Sequence, residues 1–169
     1  MAASDKEARG GRRLTSIVIE TFIDASPQVC FDAARDVSAH ADSAAFSGER
    51  IVAPGRLEGL LELGDTVTFE GKHFGLRQRF TAKIVEVERP RYFVDEMIAG
   101  AFKSMRHVHE FQPRDDGTLM RDLLEWQSPL GILGRIADRL FLERHMQWFV
   151  RTKQLRLKAI IERRYAPPS

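Results

Sequence analysis

The sequence contains a single cysteine, Cys30, which excludes an intramolecular disulfide and any Cys-x-x-Cys metal site. Cys30 lies between Val29 and Phe31, so we expect a small buried hydrophobic side chain rather than a reactive thiol. No apolar run reaches the roughly 18 residues that a membrane-spanning helix requires. The net charge of only +2 argues against a chain that binds nucleic acid as a polyelectrolyte.

Cofactor and nucleophile motifs are missing as well. Gly55, Gly59 and Gly64 do not form a Gly-x-Gly-x-x-Gly loop, and they do not lie between a strand and a helix. Because the chain also lacks a Gly-x-Ser-x-Gly elbow, nothing supports catalysis by a serine or cysteine nucleophile. We predict no cofactor and, without a nucleic-acid reading motif, no nucleic-acid partner.

The composition is that of an ordinary globular domain, with 43% hydrophobic and 30% charged residues in a chain of 169. We predict a single domain over residues 14–165, flanked by a disordered N-terminal tail at 1–13 and a C-terminal tail at 166–169. The first segment lacks the apolar core of a secretory signal, which predicts a cytoplasmic location.

The first part of the chain predicts one strand and two short helices. Residues 15–24 are rich in β-branched side chains, which is typical of a strand. Ser26 and Pro27 then combine a helix-capping residue with a proline suited to the first helical position. A second, weaker helix is predicted over residues 40–45.

The rest of the chain changes from a strand pattern to a helix pattern. From Asp65, alternating apolar residues predict a run of antiparallel strands, with a bulge near Ile84 and a hairpin turn at 115–117. A long amphipathic helix is predicted from Ser128 to Arg164, and an offset in its apolar stripe indicates either a kink or a helix in two parts. Strands grouped apart from helices favour an α+β fold with an antiparallel sheet.

Short patterns along the chain resemble the START-like (SRPBCC) superfamily, in particular a bacterial group of polyketide cyclase/dehydrase-like ligand-binding proteins. The resemblance extends from Thr15 to Arg164. The patterns are Phe22-Ile23-Asp24-Ala25-Ser26-Pro27 with Val29-Cys30-Phe31, Gly64-Asp65, His73-Phe74-Gly75, Glu88-Arg89-Pro90, Gly100-Ala101-Phe102, His107-Val108-His109-Glu110-Phe111, Gly117-Thr118 and Ser128-Pro129-Leu130-Gly131.

This resemblance implies a helix-grip fold. In that fold, a curved antiparallel sheet of about six to seven strands surrounds a long C-terminal helix, and two short helices follow strand 1. It also implies a cavity between the sheet and the helix for a hydrophobic or amphipathic small molecule. Binding such a molecule is our leading functional hypothesis, ahead of an enzymatic activity.

Two histidines are the main candidates for chemistry. His107 and His109 lie two residues apart on a predicted strand, so both rings lie on one face of it. Together with His73 and Glu96 they are a hypothetical zinc ligand set, but polar lining of the cavity is the simpler interpretation, and we predict no metal. The same pair carries proton transfer in the alternative hypothesis, a lyase-like polyketide cyclase or dehydratase.

Other side chains of the sheet and the last helix are candidate ligand contacts, because small-molecule sites are mainly apolar with few polar groups. Arg79, Glu96, Arg121 and Glu125 face either the cavity or the outer surface, since strand alternation allows both. The predicted ligand-binding residues are Phe69, His73, Phe74, Arg79, Glu96, Phe102, His107, His109, Trp126, Phe141 and Trp148.

The last helix is basic. Between residues 135 and 164, Lys and Arg outnumber Asp and Glu by nine to three, and we expect these charges on a solvated face. A third hypothesis follows, in which an accessory protein docks weakly on an anionic membrane surface or on a partner through this helix. The sequence is compatible with a monomer or a homodimer.

Overall fold

A computed structural model of the chain describes residues 14–73, 76–129, 131 and 138–165, without the side chains of His73 and Tyr165. The predicted tails at 1–13 and 166–169 lie outside the described residues, and so does the predicted ligand contact Phe74. No helix in the described part of the chain is long and apolar enough to cross a membrane.

A curled antiparallel sheet forms the main layer of the fold. Its strands stand in the order β1-β7-β6-β5-β4-β3-β2, and every neighbouring pair is antiparallel. The α+β helix-grip prediction, with six to seven strands, is confirmed. The strands are β1 (Thr15–Ile23), β2 (Arg50–Val52), β3 (Thr66–His73), β4 (Leu76–Glu88), β5 (Tyr92–Ala99), β6 (Ser104–Arg114) and β7 (Gly117–Gln127).

Two short helices, α1 (Pro27–Arg35) and α2 (Val37–Ala44), connect the two edge strands of the sheet, and a short 3₁₀ turn follows them. Helix α1 begins where the sequence predicts, because the Ser26 side chain accepts a hydrogen bond from the Val29 amide and Pro27 occupies the first turn. The Asp36 side chain caps α2 in the same way.

The long C-terminal helix, α3 (Glu143–Tyr165), follows a π-helical turn at Asp138–Leu142. This turn lies where the sequence shows an offset in the apolar stripe, so the predicted irregularity is confirmed. Much of the predicted helix before this turn, at residues 130 and 132–137, lies outside the described residues. The Ser128 hydroxyl donates a hydrogen bond to Asp138. The predicted capping of the helix by Ser128 involves Leu130, which lies outside the described residues.

Helix α3 packs on the concave face of the sheet through one buried stripe. The stripe consists of Val150, Gln154, Leu157 and Ile161, whose spacing of four, three and four residues keeps them on one side of the helix. Three of the four are apolar, whereas Gln154 is a buried amide that needs polar partners. The stripe therefore both closes the core and brings a polar group to the sheet.

Local irregularities in the strands shape the sheet around α3. The register of β4 against β5 shifts between Ile84 and Glu86, which confirms the predicted bulge and bends the sheet. The predicted hairpin joins β6 to β7, with Asp115 at a φ of 52°. The next residue but one is Gly117, where a Cβ atom would collide with the backbone oxygen of Ile23.

Two apolar clusters hold the layers together. In the first, Phe31 of α1 packs edge-on against Phe93 and Phe111 of the sheet, with ring centres 5.9 and 5.6 Å away. Cys30 belongs to this cluster and is fully buried, as predicted. The second surrounds Trp126 and includes Val150 of α3.

Candidate ligand cavity

A cavity of about 160 Å³ lies between the concave face of the sheet and α3. Its walls are mainly apolar, because alternate residues of the strands point inward and are bulky and hydrophobic. Polar side chains also belong to this lining, namely His40, Glu49, Gln78, Arg79, Asp95, His107, His145 and Lys153. The apolar lining residues include Leu61, Val67, Phe69, Phe80, Ala82, Ile84, Phe93, Phe102, Met105, Leu124, Leu142, Met146, Phe149 and Val150.

Behind one wall, His109 is held between two carboxylates. Its Nδ1–H donates to Asp122 Oδ1 at 2.7 Å, and its Nε2–H donates to Asp95 Oδ2 at 3.0 Å. The ring of Phe93 stacks on the imidazole with centres 4.3 Å apart. Strand register explains the arrangement, since His109 of β6 lies directly opposite Asp122 of β7.

The network continues into α3. Asp122 Oδ2 accepts a hydrogen bond of 2.8 Å from Gln154 Nε2, and Gln154 Oε1 accepts one of 2.7 Å from the Thr21 hydroxyl of β1. These bonds satisfy the buried amide of the helix stripe and tie the helix to two strands. We call these side chains, His109, Asp95, Asp122, Gln154 and Thr21, the polar layer. The polar layer thus helps to hold the helix on the sheet.

Charge determines the protonation states in this layer. Burial alone would lower the pKa of His109, but the charge and hydrogen bond of Asp122, with Asp95 in support, raise it to about 9. Burial alone would raise the pKa of Asp122, yet the charge of His109 lowers it below its usual range. The pKa of Asp95 is lowered by His109 in the same way, against burial. At neutral pH the layer therefore contains an imidazolium between two carboxylates.

His107 faces the cavity in front of this layer, with its ring centre 3.8 Å from that of His109. Burial, and then the positive charge of His109, lower its pKa, so His107 is neutral at pH 7. Its Nε2 atom is buried, lies 3.6 Å from Asp122 Oδ1 and has no hydrogen-bond partner among the described residues. His107 is therefore a neutral imidazole in the cavity wall, with its Nε2 directed toward the carboxylate of Asp122.

The opposite wall contains a lysine and a second neutral histidine. Lys153 of α3 lines the cavity, and its Nζ donates a hydrogen bond to His40 Nε2 of α2. Burial lowers the pKa of Lys153, against the charges of Glu49, Asp95 and Asp122. Burial, followed by the charge of Lys153, holds the pKa of His40 well below its usual value. The expectation that the basic residues of this helix form a solvated face is wrong for Lys153.

Several predicted ligand contacts lie at the cavity. Phe69, Arg79, Phe102 and His107 belong to its lining, whereas His109 lies one layer behind His107. Arg79 is at the exposed rim, where its Nε donates to Glu70 Oε2 at 2.8 Å. The backbone of His73 ends β3, and nothing further is described for this residue.

Other predicted ligand contacts point elsewhere. Trp126 is fully buried in the second core cluster, while Phe141 is 69% and Trp148 is 54% exposed. Glu96 lies on the outer face and pairs with Arg106 at 3.3 Å, because alternation along β5 turns it away from the inward-facing Asp95.

Strand alternation also places two other charged candidates outside. Arg121 pairs with Glu110 at 2.7 Å on the outer face of the sheet. Glu125 alternates with the buried Leu124 and Trp126, so it shares the outer face with Arg121. Of the two positions that strand alternation allowed, Arg121 and Glu125 therefore take the outer one.

The structure also brings potential metal ligands together. Asp95, His107 and His109 offer ligand atoms within 4.8 Å of one another. A metal here would have to displace the proton that His109 shares with Asp95, while the other N–H stays bound to Asp122. The predicted fourth member of the set, Glu96, lies on the other face. The arrangement fits a shared proton better than a metal ion.

Sequence reasoning missed five polar side chains around the cavity, namely Asp95, Asp122, Gln154, His40 and Lys153. The position of Asp122 could have been found from the sequence, since alternation places it on the inward face of β7 with Met120 and Leu124. The same holds for Gln154, because its spacing places it on the apolar stripe of α3. No sequence pattern indicates the contact between His40 and Lys153, because it depends on how α2 packs against α3.

Solved structures of the same architecture cover almost the whole chain. A Thermus thermophilus protein, TTHA0849, superposes with a TM-score of 0.70 and 16% identity over 90% of this chain and 100% of that one. CV1439 from Chromobacterium violaceum matches with a TM-score of 0.66 and 14% identity over 87% and 96% of the two chains. Major latex-like protein 151 of Panax ginseng matches with a TM-score of 0.60 and 10% identity over 91% and 99%.

No protein-family model and no curated protein sequence matches the chain, so its likeness to known proteins is one of structure. That likeness extends over both the sheet and the C-terminal helix, which are the two parts that enclose the cavity. The chain therefore has the helix-grip fold of these solved structures, which is the fold that its sequence patterns predict.

Proposed function

We propose that this protein binds a small hydrophobic or amphipathic molecule in the cavity between the sheet and α3. The observation that carries the proposal is a mainly apolar cavity whose lining also contains ionisable side chains, among them Lys153 and His107 inside and Arg79 at the rim. Binding sites for small molecules combine a mainly apolar lining with a few polar groups that fix the orientation of the ligand. An oxygen-bearing group on the ligand would be the natural partner of these donors.

The volume of the cavity limits the size of the ligand that it can hold. The volume of about 160 Å³ is below the roughly 300–1,000 Å³ of sites for drug-sized ligands. It is close to the roughly 150 Å³ of an engineered cavity that accepts benzene. We therefore infer a ligand of one ring or a short chain, carrying one polar group, rather than a lipid or a large polyketide.

Ligand-observed NMR with one-ring alcohols, aldehydes, phenols and carboxylates tests this function. Ala101 is exposed and belongs to the cavity lining, so Ala101→Trp should block the cavity at little cost to folding. Ala159 is exposed on α3 away from the lining, and Ala159→Trp is the matched control. We expect binding by the wild type and the control but not by Ala101→Trp. Binding that survives unchanged in Ala101→Trp would place the ligand elsewhere.

The alternative hypothesis is an enzyme of the cyclase or dehydratase type. His107 supports it, because a neutral imidazole at the cavity wall can accept a proton from a bound substrate. His109, as an imidazolium behind it, would act through His107 rather than on the substrate. If a substrate is found, His107→Gln combined with His109→Gln should abolish turnover, and unchanged turnover would remove the hypothesis.

Weak docking on an anionic membrane is a second candidate, favoured by the outer face of α3. Trp148 and Leu155 are about half exposed there, and the exposed Arg144 and Arg151 lie on the same side of the helix. Co-sedimentation of the protein with vesicles that contain or lack anionic lipid tests this docking. Binding that does not depend on the charge of the lipid would contradict it.

A cytoplasmic location, the monomer or homodimer state and the absence of a nucleic-acid partner stay predictions.

A further inference from the structure

Lys153 brings its amine into the cavity from a helix whose other basic side chains are mostly exposed. Its Nζ donates to His40 Nε2 and lies 5.5 Å from the centre of the Phe69 ring. The carboxylates of Glu49, Asp95 and Asp122 act on its charge. The amine is therefore hydrogen-bonded to an imidazole and placed over an aromatic face.

Burial favours an uncharged amine at Lys153, and a neutral imidazole lies beside it to accept a proton. Burial disfavours the ammonium form and lowers the pKa of Lys153, even though nearby carboxylates oppose this shift. His40 is neutral because its own pKa is held well below its usual value, so Nε2 is available as a proton acceptor. A lysine whose pKa is lowered by an apolar site is a better nucleophile toward carbonyl carbon than a solvated lysine.

We propose that Lys153 forms a reversible imine with an aldehyde or ketone that enters the cavity, and that His40 moves the protons this reaction requires. The proposal rests on the proposed binding function and adds to it the class of ligand and a covalent step. The size and apolar walls of the cavity select a one-ring aromatic or a short aliphatic carbonyl compound.

The step balances without an outside reactant. The Lys153 ammonium gives one proton to His40, and the amine then forms a C–N bond to the carbonyl carbon while the π electrons of the C=O bond move to oxygen. The nitrogen passes a second proton to that oxygen, and His40 returns the first to the resulting hydroxyl group. Water leaves as the nitrogen lone pair forms the C=N bond, so the products are one iminium ion and one water molecule.

The aromatic wall suits both states of the nitrogen. Phe69 lies beneath the lysine amine, and an aromatic face attracts a cation whether it is an ammonium or an iminium ion. The carboxylates of Asp95 and Asp122 act on the charge of Lys153 from the sheet side of the cavity, and they favour the iminium cation in the same way.

Benzaldehyde with sodium cyanoborohydride tests the proposal, because the reductant converts an imine into a stable N-benzyl lysine. Intact mass spectra should show one benzyl group added first, and peptide mapping should place it on Lys153. We expect Lys153 to be labelled at least about tenfold faster than the exposed Lys72, Lys83 and Lys103, because a desolvated amine has a larger neutral fraction than a solvated one. Equal labelling of all lysines, or an unlabelled Lys153, would overturn the proposal.

Three variants sharpen this experiment. Lys153→Met should remove the fast labelling, while Lys83→Met, a change at an exposed position of β4, should leave it intact. His40→Gln should slow labelling of Lys153 without abolishing it, since glutamine keeps a hydrogen-bonding group but cannot carry the proton. Unchanged labelling in His40→Gln would contradict the role of His40.

Benzyl alcohol separates this proposal from the binding function, because it has the size of benzaldehyde but no carbonyl group. If NMR shows benzyl alcohol in the cavity while benzaldehyde leaves Lys153 unlabelled, the imine proposal fails and the binding function stands. If benzyl alcohol does not bind and no lysine is labelled preferentially, both fail together.

Discussion

At the scale of single residues, the charge on His109 connects the cavity wall to the stability of the fold. Both of its ring N–H groups are donated to carboxylates, which only an imidazolium can do. His107 and His40 are neutral in the same cavity, although all three histidines have the same ordinary pKa of 6.5 outside the fold. The difference arises because Asp95 and Asp122 are near enough to outweigh the burial of His109 and not that of the other two.

The raised pKa of His109 predicts a pH-dependent contribution to stability. Since the pKa is about 9 in the folded protein and about 6.5 in the unfolded chain, the contribution is complete below about pH 6.5 and is lost as the pH rises through 9. Its size is on the order of 3 kcal/mol. Urea unfolding of the wild type and of His109→Gln between pH 6.5 and 9.5 should show a difference in unfolding free energy that shrinks with pH.

Comparing the wild type with His109→Gln cancels the pH-dependent stability that other titrating groups contribute to both proteins. Lys153, whose folded pKa is lowered, contributes in the opposite direction at alkaline pH, but it does so in both proteins. His107 and His40 have lowered pKa values and weaken the fold only as the pH falls below about 6.5. A difference in stability between wild type and variant that stays constant across the range would contradict the assignment of His109 as an imidazolium.

At the scale of secondary-structure elements, α3 is held by a narrow stripe that mixes apolar and polar contacts. Leu157 and Ile161 pack into the first core cluster, and Gln154 binds Asp122 and Thr21. The helix is therefore positioned by packing at one end and by hydrogen bonds nearer the cavity. This combination fixes the rotation of the helix, which in turn directs Lys153 inward.

Truncation of the stripe gives a matched pair of predictions on one helix. Ile161 is fully buried, so Ile161→Ala should lower the free energy of unfolding by about 2–5 kcal/mol through lost burial and a new cavity. Leu155 is 50% exposed, and Leu155→Ala should cost less than about 1 kcal/mol. Urea unfolding measures both, and similar losses for the two variants would contradict the packing of α3 described above.

At the scale of the whole molecule, the sheet, α2 and α3 meet at the groups that surround the cavity. His40 and Lys153 join the two helices, while Asp122 and Gln154 join the long helix to the sheet. A ligand in the cavity would contact all three layers at once. Occupation should thus stabilise the entire fold and not one element of it.

Ligand binding should therefore raise the melting temperature. A ligand that binds only the folded state at about 100 times its Kd adds about 2.7 kcal/mol to the free energy of unfolding. A one-ring ligand identified by NMR should raise the melting temperature of the wild type and of Ala159→Trp. Ala101→Trp, whose cavity is blocked, should show no shift, and an equal shift in all three proteins would contradict binding in this cavity.

The order of elements could be read from the sequence, because it depends on local rules. Ser26 and Pro27 start a helix wherever they meet an amphipathic segment, and alternation in β4 changes parity near Ile84 because the strand is bulged there. The same alternation placed His107 and His109 on one face together. These signals act over a few residues, so no knowledge of the packed fold was needed.

The sequence by itself thus determined an α+β fold, a long terminal helix and a face of the sheet that carries two histidines. Only the tertiary structure decided which charges meet across the cavity. Asp122 and Gln154 are 32 residues apart in the chain, and His40 and Lys153 are 113 apart. Their contacts depend on the curvature of the sheet and the rotation of α3, which no local pattern encodes. The protonation states of His107, His109 and Lys153 follow from those contacts and from burial, and so do the proposals for the cavity.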